Sequence, residues 1–349
     1  MSELYPLLLL PEFVERVWGT RDLSLIYPHK TARKGAEFEQ PVGEVWLTGD
    51  QCRVSNGALT GQTLKELTQR FGRELLGEIA PDPNHFPLLL KFLLPTAKLS
   101  VQVHPDDEGA KAIGQACGKT ECWYVLAAQP GAQVGLGFKS GVTKADVEQA
   151  ISEVRLEQLI NWIDVHAGEL IYVDAGTVHA IGPGVIMVET QQNSDTTYRL
   201  YDYGRPRELH VQAGLAAMRE KTGAGKVARR DAGEGAAELV SSPCFIVDKH
   251  VIRKPKQFAA QGKPSAQIFV AVDGCGVIEV DGVKPVTFAK GETVVIPASI
   301  REYSIRPQWE LECIRAMLPG EKVAQPKTVV TSEKVIYATG SQRVAEMQQ

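Results

Sequence analysis

The chain has 349 residues, of which 44% are hydrophobic and 23% charged, with a formal net charge of -4. That length allows two domains with their own cores, and the balance is that of a folded globular protein. The slight acidity, with no run of Lys or Arg, excludes nucleic acid and membrane surfaces as expected partners.

The opening stretch MSELYPLLLLPEFVERVWG holds an apolar run of only five residues, Pro6 to Leu10, with acids soon after it. It does not read as a signal peptide, and nothing downstream approaches a membrane span, so a cytoplasmic protein is expected. Six cysteines, at 52, 117, 122, 244, 275 and 313, show neither a CxxC nor a zinc-ribbon spacing. Reduced thiols are the reading.

In chain order, GEVWLTG reads as a strand, and QTLKELTQRFGRELLGE (62–78) as a helix with Leu64, Leu67, Phe71 and Leu75 on one face. Thr63 and Glu66 form a capping-box pattern at its start. KLSVQVH, ECWYVLAA and AQVGLGF are strands, and a second helical insertion is expected over about 143–163 (TKADVEQAISEV, RLEQLINWID). ELIYVDAG and GVIMVET return to strand, and HVQAGLAAMREK is a weaker helix. Gly223 to Glu238, rich in Gly, Ala and charge, reads as a linker, after which AQIFVAV, GVIEVDG, PVTFA and ETVVIP are strands. Short strands punctuated by Gly, Pro and Asp favour a sandwich or barrel over βαβ units.

GELIYVDAGTVHAI (Gly168 to Ile181) and GETVVIPASIREYS (Gly291 to Ser304) share one layout: Gly-Glu, apolar strand, tight turn, strand. The echo predicts two copies of one β-barrel unit, with a domain over 1–235 carrying the helical insertions and a second over 236–349. Glu302 stands in the second copy where the first has His179, so any site belongs to the first.

In LSVQVHPDD, Gln102 and His104 share a strand face. Glu121 opens the next strand, and His179 follows the turn DAGTVH. Inside a closed antiparallel barrel these four side chains can meet, and four N and O donors without a thiolate suit Zn²⁺ or another borderline divalent ion. Trp18, Trp46, Trp123 and Trp162 lie in apolar stretches and read as core. Asp106 and Asp107 are read as capping the turn after His104 or buttressing that ligand.

The runs LSVQVHPDD, GKTECWYVL, AGTVHAIGPG and ETQQNSDTTYRLYDYGR, with VWGTRDL and GEVWLTGD before them, together resemble type I mannose-6-phosphate isomerase in its shorter bacterial form. The resemblance is strong over roughly the first 210 residues. It implies a mainly β fold of two cupin-type (jelly-roll) barrels, the first holding one Zn²⁺ and the second metal-free. Gln102, His104, Glu121 and His179 match the metal ligands, and Lys119, Ser100, Asp195 and Arg199 match residues lining the sugar-phosphate pocket. KFLLPTAK, Asp174 and Gly118 depart from the family's pattern but spare every ligand.

The implied activity interconverts mannose 6-phosphate and fructose 6-phosphate through a cis-enediol, with a small sugar phosphate as partner and a monomer or weak homo-oligomer as the assembly. Lys119 is read as the proton-transferring base or as a phosphate anchor. The permanently charged Arg199 suits clamping an enediolate or phosphate. Asp195 is read as orienting Arg199 or assisting ring opening, Ser100 as donating to phosphate, and Glu189 as a further carboxylate for the substrate. The alternatives are a metal cupin acting on another sugar phosphate, an oxidising metal cupin, and a sugar-binding or regulatory cupin without turnover.

Overall fold

In the computed structural model, residues 3–28, 38–260 and 262–331 are described. Three antiparallel sheets stack, with the helices Lys144–Ser152 and Val211–Ala217 on the outer face of the smallest and Leu64–Phe71 and Arg73–Leu76 packed into the core shared by the other two. The central sheet has eight strands in the order Glu12–Thr20, Val42–Trp46, Leu88–Leu93, Val185–Gln192, Glu121–Ala128, Leu170–Val173, Gly225–Val227 and Thr328–Val329. A five-stranded sheet faces it, in the order Tyr198–Tyr201, Val101–Val103, His179–Ile181, Gln133–Phe138 and Ile160–Asp164. Trp123, Val125, Ile171 and Met187 of the larger sheet pack against Val134, Leu136, Ile163 and Ile181 of the smaller. The functional cavity opens within this sandwich.

The third sheet, of ten strands, curls around its own core of Phe258, Phe269, Phe288, Tyr303 and Ile305. Its other face shares one large core with the central sheet, joining Leu90, Tyr124, Tyr172 and Val188 to Val240, Phe245, Ile268 and Ile314. None of the three sheets closes on itself among the described residues, so the expected pair of separate barrels appears as open, stacked sheets. Terminal strands change sides. Leu7–Leu10 pairs with Thr293–Ile296 in the ten-stranded sheet, and Thr328–Val329 pairs with Gly225–Val227 in the central one.

The first helix is Leu64–Phe71, continued by Arg73–Leu76. The capping box forms: the Glu66 amide donates to Thr63 Oγ1, and the Thr63 amide donates to Glu66 Oε2. In the second insertion only Lys144–Ser152 is α-helical; Leu156–Leu159 is a 3₁₀ turn and Ile160–Asp164 is a strand. Ile160 and Ile163 of that strand are needed in the cores on either side of the five-stranded sheet, and this burial overrides the helical spacing. The helix Val211–Ala217 forms as expected.

The expected linker 223–238 is instead built into sheet structure. Gly225–Val227 joins the central sheet, and Arg230–Gly233 forms a hairpin with Ala236–Ser241. Both members of the internal echo place a left-handed glycine before an apolar strand, at Gly168 (φ 88) and Gly291 (φ 87). Leu170–Val173 and His179–Ile181 nevertheless lie in different sheets, whereas Thr293–Ile296 and Glu302–Met317 share the ten-stranded one. All six cysteines are unbridged. No described helix is long and apolar enough to cross a membrane.

Leu7 is fully buried in the core shared by the two halves. Leu7→Ala should therefore lower stability by about 2–5 kcal/mol in urea unfolding. Both halves should fail in one shifted transition, and two separated transitions would contradict the interlock.

Candidate metal centre and catalytic cavity

The backbone brings the predicted donors together from both sheets of the sandwich. His179 opens its strand directly opposite Gln102. His104 follows one residue after the Val101–Val103 strand, and Glu121 opens its own strand in the facing sheet. The turn leading to His179 needs Gly176, whose φ is 88, and its amide donates to the His104 carbonyl at 2.9 Å, tying two ligand segments together.

His104, Glu121 and His179 are each about 1% exposed, with donor atoms that all lie within 4.8 Å of one another. His179 Nε2 is 3.4 Å from Glu121 Oε1, and His104 Nε2 is 3.6 Å from Glu121 Oε2. The Gln102 amide nitrogen is 3.2 Å from His179 Nε2, and a half-turn of the amide presents Oε1 to the same point. A tetrahedral ion with bonds of 2.0–2.1 Å requires donor separations of about 3.3 Å, so the set fits a divalent cation.

Each imidazole is turned for this task by its other nitrogen. His104 Nδ1 bonds the Thr196 carbonyl and His179 Nδ1 the Thr177 carbonyl, both at 2.9 Å, leaving Nε2 free as a donor lone pair. Burial lowers both histidines, His179 to about 4 and His104 well below its usual value, with Lys119 contributing in each case. They are neutral at physiological pH, as ligands must be. Trp123 donates to Glu121 Oε1 at 3.2 Å, so this tryptophan orients the Glu121 carboxylate as well as filling the core.

Above the cluster lies a cavity of about 470 Å³ whose wall includes Ser100, Gln102, Lys119, Glu121, Glu189 and Asp195. Arg199 and Arg207 also line it. Lys119 precedes the strand rather than lying on it, yet its Nζ reaches 3.0 Å from His104 Nε2 and 3.1 Å from Glu121 Oε2. Ser100 Oγ donates to Gln102 Oε1 at 3.1 Å. Asp195 is exposed at the rim, and Arg199 bonds not to it but to the Glu208 carbonyl at 2.8 Å. Arg199 Nε is buried without a hydrogen-bond partner, which leaves a donor for a ligand.

Sequence reasoning missed a chain of buried charges on the opposite wall. Arg16 pairs with Glu44 at 2.8 Å, and Lys91 lies between Glu44 at 3.4 Å and Glu189 at 3.0 Å. The detectable signal was a lysine inside the otherwise apolar LLLKFL, since a buried charge needs a partner. Burial opposes the Lys91 charge, but Glu189 and Glu44 outweigh it and raise its pKa. Burial likewise opposes the Glu44 carboxylate, yet Lys91 and Arg16 hold it down at about 2. Glu189 behaves differently: burial and the adjacent Glu121 outweigh Lys91 and push it up to about 7. Trp46 donates to Glu44 at 2.7 Å and is a half-buried partner of a charge rather than core, while Trp162 packs against the core under the five-stranded sheet and also faces Lys98.

Comparison with known proteins agrees with this construction. Residues 7–126 match the family model "Phosphomannose isomerase type I, catalytic domain", and residues 236–317 match "Mannose-6-phosphate isomerase, cupin domain". Fold and site thus define a cupin-type β protein with a buried group of residues able to hold a metal ion. The chain is 34% identical over 325 residues to mannose-6-phosphate isomerase of Streptococcus mutans, covering 88% of this chain and 96% of that protein. It is 39% identical over 227 residues to mannose-6-phosphate isomerase ManA of Bacillus subtilis, covering 61% and 68% respectively. The crystal structure of mannose 6-phosphate isomerase from Bacillus subtilis superposes with a TM-score of 0.79 at 30% identity, over 90% of this chain and 99% of that one. The chain belongs to the mannose-6-phosphate isomerase family.

Lys91→Met would leave Glu44 and Glu189 buried without their shared cation, and should cost about 3–5 kcal/mol at pH 7 by urea unfolding. Wild-type Glu44 contributes stability that is complete above its ordinary value of 4.5 and lost as pH falls through about 2. In the variant Glu44 keeps Arg16 but loses Lys91, so its carboxylate protonates at higher pH and the deficit should shrink when measured at pH 4.

Proposed function

We propose that the chain interconverts mannose 6-phosphate and fructose 6-phosphate in the cavity above the metal cluster. The observation that carries this reading is the convergence of His104, Glu121, His179 and Gln102 beside a cavity that Gln102 and Glu121 line together with Lys119 and Arg199. We assign the site to a catalytic domain over 1–235. We assign the described residues of 236–349 to a second cupin-like β domain; 261 and 332–349 lie outside the described residues. The only group of potential metal ligands among the described residues is in the first of these.

The four donors would hold one Zn²⁺, two neutral imidazoles and a neutral amide leaving the ion close to +1 against a single carboxylate. When bound, such an ion would supply electrophilic stabilisation of the negative charge that develops on the substrate oxygens.

Lys119, only 4% exposed and within 3.1 Å of two ligand atoms, lies too deep for a phosphate anchor and is assigned as the base. Its amine takes the C2 proton of the open-chain aldose while the released C–H pair forms the C1–C2 double bond and the C1=O1 π pair moves onto O1, giving the enediolate. Return of that proton to C1, with transfer of the O2 proton to O1, yields the ketose. Arg199, with a free buried donor and a fixed charge, holds the phosphate together with Arg207 and Ser100 on the cavity wall. Glu189, braced by Lys91, faces the sugar hydroxyls, and Asp195 at the rim assists ring opening.

For the rival reading, a sugar-binding cupin without turnover, loss of a ligand is the cheapest sign, and all four donors are in place.

Treatment with a chelator should abolish conversion of mannose 6-phosphate in a coupled assay, Zn²⁺ should restore it, and His104→Ala should retain no metal. Full turnover by a metal-free preparation would remove this reading. Arg199→Ala should keep its metal while kcat/KM falls by about 10²-fold or more, the scale of losing a charge-assisted anchor near 3 kcal/mol. Glucose 6-phosphate and unphosphorylated mannose, run beside it, report the sugar and phosphate contributions.

A further inference from the structure

The residue assigned as the base belongs to no strand or helix, since the regular strand begins only at Glu121. Its placement therefore depends on what holds the segment Gly118–Lys119–Thr120. Three consecutive amides of that segment are each bonded to a residue outside it. The Gly118 amide donates to Asp107 Oδ1 at 2.8 Å, the Lys119 amide to the Pro105 carbonyl at 3.0 Å, and the Thr120 amide to Gln192 Oε1 at 2.9 Å. Gln192 closes the arrangement: its backbone amide donates to the Thr120 carbonyl at 3.1 Å, and its side-chain amide donates to the same Asp107 Oδ1 at 2.9 Å.

Sterics reinforce the clamp. A Cβ on Gly118 would meet the Asp106 carbonyl carbon at 2.5 Å and the Asp107 amide at 2.6 Å, so only glycine allows the two backbones to approach this closely. Asp107 begins the helix Asp107–Ala112, which Asp106 caps through the Gly109 amide at 2.8 Å. A rigid helix start thus offers a carboxylate as a fixed acceptor. Asp107 does not line the catalytic cavity and lies on the exposed side of the segment.

We propose that Asp107, relayed by Gln192, is a positioning residue for the reaction: it clamps the backbone of Gly118–Lys119–Thr120 so that the Lys119 amine is held over the substrate carbons. The proposal rests on the assignment of Lys119 as the base. Glu121 does not need the clamp, because its backbone is paired on both sides, with Val173 and with Gln191. The strand pairing that fixes Glu121 is therefore distinct from the Asp107 and Gln192 contacts that hold the Lys119 segment. A small displacement of a base from its reacting carbon is costly: about 1 Å is worth about 10²-fold in rate.

The test measures kcat and KM for mannose 6-phosphate, together with bound metal, in Asp107→Ala, Asp107→Asn, Lys119→Ala and the double variant Asp107→Ala/Lys119→Ala. Asp107→Ala should lower kcat by about 10- to 100-fold while KM stays within about twofold and the metal content is unchanged. Asp107→Asn should recover most of the loss, since its side-chain oxygen can accept the same two bonds. In the Lys119→Ala background the Asp107→Ala change should add nothing.

Equal fractional losses in both backgrounds, loss of metal from Asp107→Ala, or wild-type kcat in that variant would each overturn the proposal. The last result beside an impaired Lys119→Ala would overturn it while leaving the function intact. A fully active Lys119→Ala would remove the base assignment and this proposal together. Should Asp107→Ala fold poorly, Gln192→Ala removes the Thr120 acceptor independently and should show the same split between kcat and KM.

Discussion

A single cross-strand pair, His179 opposite Gln102, sets the geometry on which the cavity depends. Once those two positions are opposed in the five-stranded sheet, His104 two residues along the chain reaches the same point, and the facing sheet has to supply only Glu121. A slip of one residue in this register would turn Gln102 or His179 to the other face and dismantle the cluster. The register is guarded by the packing behind it. Val101 and Val103 fill the core under the helices Lys144–Ser152 and Val211–Ala217, so Gln102 between them must point into the sandwich.

Placing that many charges between two sheets carries a desolvation cost, which the structure offsets by alternation. Arg16, Glu44, Lys91 and Glu189 form a line of opposite charges along one wall, and Lys119 meets Glu121 on another. Breaking any link leaves a charge stranded in low dielectric, whereas the intact chain presents fixed, pre-aligned dipoles to whatever enters. Such an arrangement suits a polar, multiply hydroxylated anion better than an apolar ligand. Arg199, whose Nε is buried and unpaired, is the place where the line is left open.

The second half of the molecule is more than an appended module. It receives the strand Leu7–Leu10 from the start of the chain and returns Thr328–Val329 to the central sheet. The outer face of the central sheet, with Tyr124, Tyr172 and Val188, is buried only because Val240, Phe245 and Ile268 cover it. Covering that face keeps the strands Glu121–Ala128 and Val185–Gln192 rigid, and these carry Glu121 and Glu189.

Much of this was legible in the linear chain. Alternation along LSVQVH placed Gln102 and His104 on one face, the capping box at Thr63 announced a helix, and the paired Gly-Glu-strand-turn layouts announced repeated β units. These signals are local, arising from backbone periodicity and side-chain chemistry within a few residues. Tertiary structure decided the rest. Ile160–Asp164 became a strand because two cores needed its isoleucines, and the Gly- and Ala-rich 223–238 became strands because sheet edges were there to pair with. Lys91 and Glu44 were brought into one line with Glu189 because three strands align them, and the eight- and ten-stranded sheets each took an edge strand from the other half of the chain. Burial and long-range pairing depend on which distant segments meet, and no short window of sequence contains that information.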